Sequence, residues 1–167
     1  MMRLFVFIAF FLVSSSHALD GIYLGGQVGQ LGLTGTLQTV SGNALGFGLD
    51  LGFKTGLLWD ITFSSQMSSH TGGAQTLKLY SQTLAMNLHA DLGEFDLSAG
   101  VGPGFYTFSR ATSNTYFGLH LDAAGDVVLS DHLRTGLGFR YHALFGDVGA
   151  DDFWSVMMRL GYLFDVG

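Results

Sequence analysis

The sequence predicts an all-β protein, an eight-stranded antiparallel up-and-down β-barrel that spans a membrane. Two observations carry the prediction. Apolar residues occupy every second position in eight successive stretches, while the positions between them are largely Gly, Ala, Ser or Thr with a few charges. A period of two belongs to strands, whose successive side chains point to opposite faces. Beyond the first residues, no segment approaches the ~20 consecutive apolar residues of a spanning helix, because charges or glycine pairs interrupt each run. A membrane crossing by this chain is therefore made by strands, and eight is an even number, as closed antiparallel barrels favour.

The first predicted strand core, residues 22–30, runs into a polar connection at 31–43. The second, 44–53, alternates most clearly: Leu45, Phe47, Leu49, Leu51 and Phe53 form one face, Ala44, Gly46, Gly48, Asp50 and Gly52 the other. A short turn at 54–56 leads to 57–66, and a polar connection at 67–76 to 77–91. Gly93 and Glu94 turn the chain into 95–108, which holds the only proline, Pro103, and where Gly100, Gly102 and Gly104 make room for bulky interior neighbours such as Tyr106, Phe108 and Tyr116. Residues 109–115 connect to 116–128, a turn at 130–132 to 133–145, and residues 146–152 to the last core, 153–164. Ten residues at ~3.3 Å each, tilted by ~40°, rise about 25 Å, the height of the apolar band of an outer-membrane barrel. Short connections alternate with longer polar ones, the asymmetry expected of periplasmic turns and outer loops.

Residues 1–18 read differently. Arg3 precedes an apolar run over residues 4–13, and Ser16, His17 and Ala18 supply a small-residue cleavage site, the pattern of a secretory signal peptide cut near Ala18. Ten apolar residues span only about 15 Å as a helix, half a bilayer core, so an anchoring helix is not expected. Residues 19–167 then form one barrel domain. Losing Arg3 takes Lys plus Arg from 7 to 6 against 13 Asp plus Glu, a formal net charge of −7. Such an acidic chain lacks the basic surface that neutralises phosphates, which excludes nucleic acid as an expected partner. Cysteine is absent although the leader directs the chain to an oxidising compartment, so sheet closure and burial must stabilise it.

Alternation alone does not say which face points outward, since a soluble lipocalin-like barrel also alternates and hides its apolar face around a ligand. A soluble barrel would cover its outside with Lys and Glu, whereas charged residues are 12% of this chain and the polar face is mostly small. Phe53, Trp59, Phe95, Tyr162 and Phe164 lie on the apolar face towards the short turns, and Tyr80, Phe105, Phe117, Tyr141 and Trp154 on the same face towards the long connections. Two aromatic belts are what membrane interfaces select.

That parity aims Asp50, Asp60, His89, His120, Asp122, Arg140, His142 and Arg159 inward. Arg facing lipid at the midplane of a barrel would cost ~2–4 kcal/mol, so these residues need partners inside. The turn at 130–132 brings Asp122 to the level of Arg140, and the last hairpin brings Arg140 towards Arg159, predicting an Asp122–Arg140–Arg159 network beside His120. Asp50 and Asp60 are expected at similar heights across the turn at 54–56, so that one of them either joins the network or stays protonated. The interior is expected to be a plugged polar lumen.

The pattern resembles the small outer-membrane β-barrel family, the OmpA-like and OmpX-like proteins, over essentially the whole mature sequence. Its most specific piece is the last strand, where Arg159, Gly161, Phe164 and Val166 resemble the family's C-terminal assembly signal, although Asp165, Val166 and Gly167 follow where members commonly finish on an aromatic residue. The resemblance implies location in the outer membrane of a Gram-negative bacterium, with its lipids, lipopolysaccharide and the barrel-assembly machinery as partners, and a monomer is expected. Enzymes occur on this fold, notably lipid A palmitoyltransferases and deacylases. The deacylase pattern resembles a His followed two positions later by Ser, but His142 is followed by Ala143 and Leu144. Ser68, Ser69 and His70, with Asp147, Asp151 and Asp152 in another connection, show no sign of meeting as a triad.

His89, His120 and His142 sit on separate strands, at expected different depths and without metal-ligand spacing, and read as hydrogen-bonded lumen residues. The acidic cluster of Asp147, Asp151 and Asp152 lacks the twelve-residue spacing of a dedicated calcium site and reads as a solvated surface or as one that reaches anionic lipopolysaccharide through divalent cations. No resident metal or cofactor is expected. The sequence thus points to a non-enzymatic outer-membrane barrel with a structural or surface-interaction role through its outer connections. The alternatives are a narrow channel or small-solute conduit and, behind it, a lipid A-modifying enzyme.

Overall fold

The computed structural model describes residues 19–35, 42–55, 58–72, 75–146 and 152–166. The expected signal peptide, Asp147 and Asp151 lie outside the described residues. Eight strands are present: β1 (Leu19–Leu33), β2 (Ala44–Thr55), β3 (Trp59–Gly72), β4 (Gln75–Asp91), β5 (Phe95–Ser109), β6 (Ser113–Val128), β7 (Leu133–Phe145) and β8 (Phe153–Asp165). Each pairs antiparallel with its neighbour in sequence, and β1 pairs with β8 to close the barrel. The expected fold class and strand order are therefore those observed.

Two connections differ most from expectation. The segments at 67–76 and 109–115, read as outer loops, are mostly strand: β3 continues to Gly72 before β4 starts at Gln75, and only residues 110–112 separate β5 from β6. The polar residues there pair across the hairpins, as Ser69 with Lys78 and Thr107 with Thr115. Polar side chains are compatible with a ladder whose outer end stands above the apolar band, so polarity marked the edge of that band rather than the end of the strands.

Outside, the wall is apolar. Leu49, Leu121 and Met158 are 69%, 60% and 62% exposed, and Leu45, Leu88, Leu137 and Leu160 are also exposed. A continuous exposed apolar surface of this kind is foreign to a soluble monomer. Phe53, Phe95, Tyr162 and Phe164 lie exposed towards the short turns and Tyr80, Phe105 and Phe117 towards the other rim, while Trp59, Tyr141 and Trp154 are partly covered.

Inside, the filling has two parts. The half towards the turns is polar. The half towards the other rim is an apolar cluster of Leu31, Leu33, Leu77, Leu79, Tyr106, Phe108, Phe153 and Met157, with Tyr116 and Leu144 against it. These side chains come from β1, β4, β5 and β8 and meet across the lumen, with Tyr106, Phe108 and Phe153 in edge-to-face contact. Tyr106, Phe108 and Tyr116 are inside as expected. Leu31 and Leu33, expected in the connection at 31–43, instead lie on β1 with their side chains buried in the same cluster.

Glycines admit the large interior rings. A Cβ on Gly161 would stand 2.0 Å from the ring of Tyr23, and one on Gly104 would stand 2.4 Å from the Tyr106 hydroxyl. Gly161→Ala should therefore displace Tyr23 and lower unfolding stability in detergent by about 1–3 kcal/mol, a typical overpacking cost. The same substitution in a Tyr23→Ser background should cost markedly less. Equal losses in both backgrounds, read from urea midpoints, would refute the packing explanation.

Candidate functional site: the charged lumen

Strand alternation turns Asp50, Asp60, Asp122, Arg140 and Arg159 into the barrel, and the ladder register decides which of the inward charges meet. Asp122 on β6 lies directly opposite Arg140 on β7. The Arg140 guanidinium bonds the Asp122 carboxylate through Nε, donates to Ser64 Oγ on β3 at 3.2 Å and reaches Thr83 Oγ1 on β4 at 3.5 Å. Ser64 in turn donates to Asp50 Oδ1 at 2.5 Å, and the Gln27 amide donates to the same oxygen. Gln66 donates to Gln27 Oε1 at 3.1 Å. One guanidinium thus ties β6 and β7 to β3 and β4 across the lumen, with β1 and β2 joined through Gln27 and Asp50.

Nearer the turns a second group forms around His89 on β4. Its Nε2 lies 2.6 Å from Asp60 Oδ2 and its Nδ1 lies 2.9 Å from Asp96 Oδ1. An imidazole that bonds a carboxylate at each nitrogen donates at both, which is the charged form. Asn87 Nδ2 donates to Asp60 at 2.7 Å. Arg134 bonds Asp96, Lys54 approaches the same carboxylate at 3.4 Å, and Arg159 pairs with Asp126 at 3.7 Å. Among the described residues, five lumen carboxylates, Asp50, Asp60, Asp96, Asp122 and Asp126, therefore stand against Lys54, Arg134, Arg140, Arg159 and protonated His89.

This arrangement differs from the expected one in two respects. Arg159 faces Gly136 while Arg140 faces Ser155, so the two arginines lie four positions apart along β7, and Arg159 pairs with Asp126. Asp60 is opposite Lys54 while Asp50 is opposite Ser64, so only Asp50 joins the Arg140 group and Asp60 belongs to His89. Lys54, Asp96, Asp126 and Arg134 were not singled out. Their positions follow the same parity as Asp50, Gly100, Asp122 and Arg140, and they were missed because they sit towards strand ends.

The histidines also separate otherwise than expected. His120 and His142 are direct cross-strand partners with ring centroids 5.9 Å apart, while His89 lies at the turn end. His120 Nε2 is 3.2 Å from Asp122 Oδ2. His142 stacks on Phe153 at 4.0 Å, and its Nδ1 is 3.1 Å from the Tyr106 hydroxyl. This pair joins the ionic layer to the apolar cluster above it. Between the ionic groups a cavity of about 50 Å³ passes Tyr23, Asp50, Asp122, Arg140 and Ser155, room for very few waters. A space of about 160 Å³ beside Lys54, Trp59, Asp91 and Arg134 opens at the turn end.

Ser68 and His70 do meet: Ser68 Oγ is 2.9 Å from His70 Nε2, and His70 Nδ1 is 3.0 Å from the Gly42 carbonyl. Both side chains are buried, at 6% and 1% exposure, against the apolar filling. A backbone carbonyl stands where a triad would place its acid. Asp152 is engaged elsewhere, accepting from the Tyr141 hydroxyl at 2.5 Å and from the Leu144 amide at 3.3 Å. Arg159, Gly161, Phe164 and Val166 of the candidate assembly signal lie on or just beyond β8, with Gly161 inward against Tyr23 and Phe164 outward.

No known family profile and no curated protein matches the sequence. Solved structures do match the fold. Neisserial surface protein A superposes with a TM-score of 0.76 at 13% identity, covering 86% of this chain and 97% of that one. Ail, the attachment invasion locus protein of Yersinia pestis, gives 0.59 at 17%, covering 88% and 99%. The N-terminal barrel domain of Pseudomonas aeruginosa OprF gives 0.61 at 8%, covering 88% and 99%. The chain has the fold of the eight-stranded outer-membrane barrels.

Arg140→Ala should lower unfolding stability by about 3–5 kcal/mol, the usual cost of leaving one partner of a buried ion pair behind. The reading is a urea titration in detergent, followed by intrinsic fluorescence. An unchanged midpoint would show that Arg140 does not hold the two sides of the lumen together.

Proposed function

We propose that this chain is an outer-membrane β-barrel of a Gram-negative bacterium, with a plugged lumen and a structural or surface-interaction role carried by its outer rim. The observation that carries the reading is the division of the molecule into an apolar outside and an inside filled by paired charges beneath an apolar cluster. A lipid environment rewards the first and tolerates the second, since the same charges turned outward would each face hydrocarbon. The fold shared with Neisserial surface protein A, Ail and the OprF barrel domain supports the location. The chain ends and short turns face the periplasm in this reading, the last strand with Arg159, Gly161, Phe164 and Val166 engages the assembly machinery, and the barrel acts as a monomer.

The filled lumen favours this role over a solute conduit, and the burial of the Ser68–His70 pair without a carboxylate favours it over lipid A modification. Purified protein in planar bilayers should show no regular conductance steps, whereas reproducible unitary steps would establish a channel. Overexpression should leave the acyl-chain composition of lipid A unchanged by mass spectrometry. A gain or loss of one acyl chain, abolished by Ser68→Ala, would establish an enzyme instead.

A further inference from the structure

The turn end of the lumen holds a chamber that the ionic layer lines but does not fill. Its volume is about 160 Å³, against about 50 Å³ for the cavity between the deeper ionic groups. A single water needs about 10–15 Å³, so the chamber admits an organic molecule of several heavy atoms. Both spaces are bordered by Lys54, Asp60, His89, Asp96 and Arg134, and past these side chains the way narrows to the smaller one. The chamber is therefore a blind vestibule, open at the turns and closed towards the rim by the ionic layer and the apolar cluster.

The groups around it are unequally satisfied. Asp60 accepts from Asn87 and His89, and Asp96 accepts from His89, Arg134 and Lys54, so each oxygen of these two carboxylates has a partner. His89 uses both ring nitrogens on them. The other two cations have donors to spare. Among the described residues Arg134 bonds through Nη1 alone, its buried Nε has no partner, and Lys54 reaches a carboxylate only at 3.4 Å. A guanidinium carries five N–H donors and an ammonium three. Asp91 is the reverse case. It borders the chamber directly opposite Asp96 on the ladder and is exposed at the mouth. Its Oδ1 accepts from the Gly93 amide at 2.8 Å, while Oδ2 has no partner among the described residues. Like charges directly across a strand pair are unfavourable, and a cationic group beside Asp91 would offset that. What the vestibule leaves unmatched is thus dipolar: donors on partly buried Lys54 and Arg134, and an acceptor on exposed Asp91.

We infer that the vestibule is a binding site for a free α-amino acid, held as the zwitterion. The ligand carboxylate takes the spare donors of Lys54 and Arg134 inside the chamber, and the ligand ammonium takes Asp91 at the mouth. Both are charge-assisted contacts, the stronger class of hydrogen bond. The two charges of such a ligand hang on one carbon, so the chamber encloses them together with a small side chain. A carboxylate lacking the ammonium would leave Asp91 unmatched and would have to pass the exposed Glu94, Asp131 and Asp165 of the turn end. An amine lacking the carboxylate would leave the donors of Lys54 and Arg134 unmatched. The site lies inside the barrel whatever surrounds the wall, and in the membrane reading it opens to the periplasm.

The test is equilibrium dialysis of the full barrel in neutral detergent against radiolabelled alanine, with protein-free micelles as the blank. Unlabelled alanine should displace the label about tenfold more effectively than acetate or methylamine, each of which matches one end of the site only. Asp91→Asn, at an exposed position, should bring alanine down to the level of acetate. Lys54→Gln should weaken alanine retention by about tenfold at an unchanged urea midpoint. Where Lys54→Gln lowers the midpoint, Asp91→Asn alone decides. Acetate displacing the label as well as alanine does would reveal a simple anion site and overturn the inference. Absence of saturable retention would overturn it too, as would alanine retention undiminished in Asp91→Asn.

Discussion

The β1–β8 ladder is the constraint on which everything else in this molecule depends. Thirteen register pairs, from Gly21 opposite Asp165 to Leu33 opposite Phe153, join the first strand to the last and leave the sheet without an edge. In hydrocarbon an unpaired strand edge would expose a row of backbone donors and acceptors with no solvent to satisfy them, so only closure makes a strand-built crossing possible. Closure also creates an inside. Once eight strands meet, every second side chain is confined to a narrow lumen and must fit, pair or be glycine.

The lumen solves that confinement in layers. Towards the turns the side chains are charged and tied together across the barrel, Arg140 to Asp122 and Ser64, His89 to Asp60 and Asp96. Towards the rim the filling is apolar, and the cluster around Tyr106 and Phe153 covers the ionic layer from that side. The His120–His142 pair stands between the two, one ring near Asp122 and the other flat against Phe153. Low local dielectric makes each ionic contact stronger and each missing partner more costly, so the two layers depend on one another.

Strand number, order and facing were legible in the sequence because a period of two survives any uncertainty about where strands end. The Asp122–Arg140 pair was legible for a related reason: the turn between β6 and β7 is short, which fixes its centre. Depth was less legible. The partner of a residue in a hairpin moves by twice any error in the turn centre. Placing the β2–β3 turn two residues early therefore set Asp50 against Asp60, where the ladder sets Asp50 against Ser64 and Lys54 against Asp60. The longer connection before β8 displaced Arg159 in the same way, from Arg140 to Gly136 and Asp126. Of the apolar cluster only the aromatic members Tyr106, Phe108 and Tyr116 were legible, from the glycines beside them; Leu31 and Leu33 follow a stretch that ends its alternation early, and aliphatic residues on the inward face only make sense once opposite strands are seen to meet.

The apolar face points outward in a closed, membrane-embedded barrel, and the filling of the lumen follows from that orientation. The most direct measurement is the gel mobility of protein taken from a cell outer-membrane fraction, boiled against unboiled in SDS. The expected result is a protein found in that fraction whose unboiled form migrates differently from the boiled form, a detergent-resistant membrane barrel. A soluble periplasmic protein with no such shift would contradict it, because the exposed leucines and aromatics of the wall would then have to be buried in some other way.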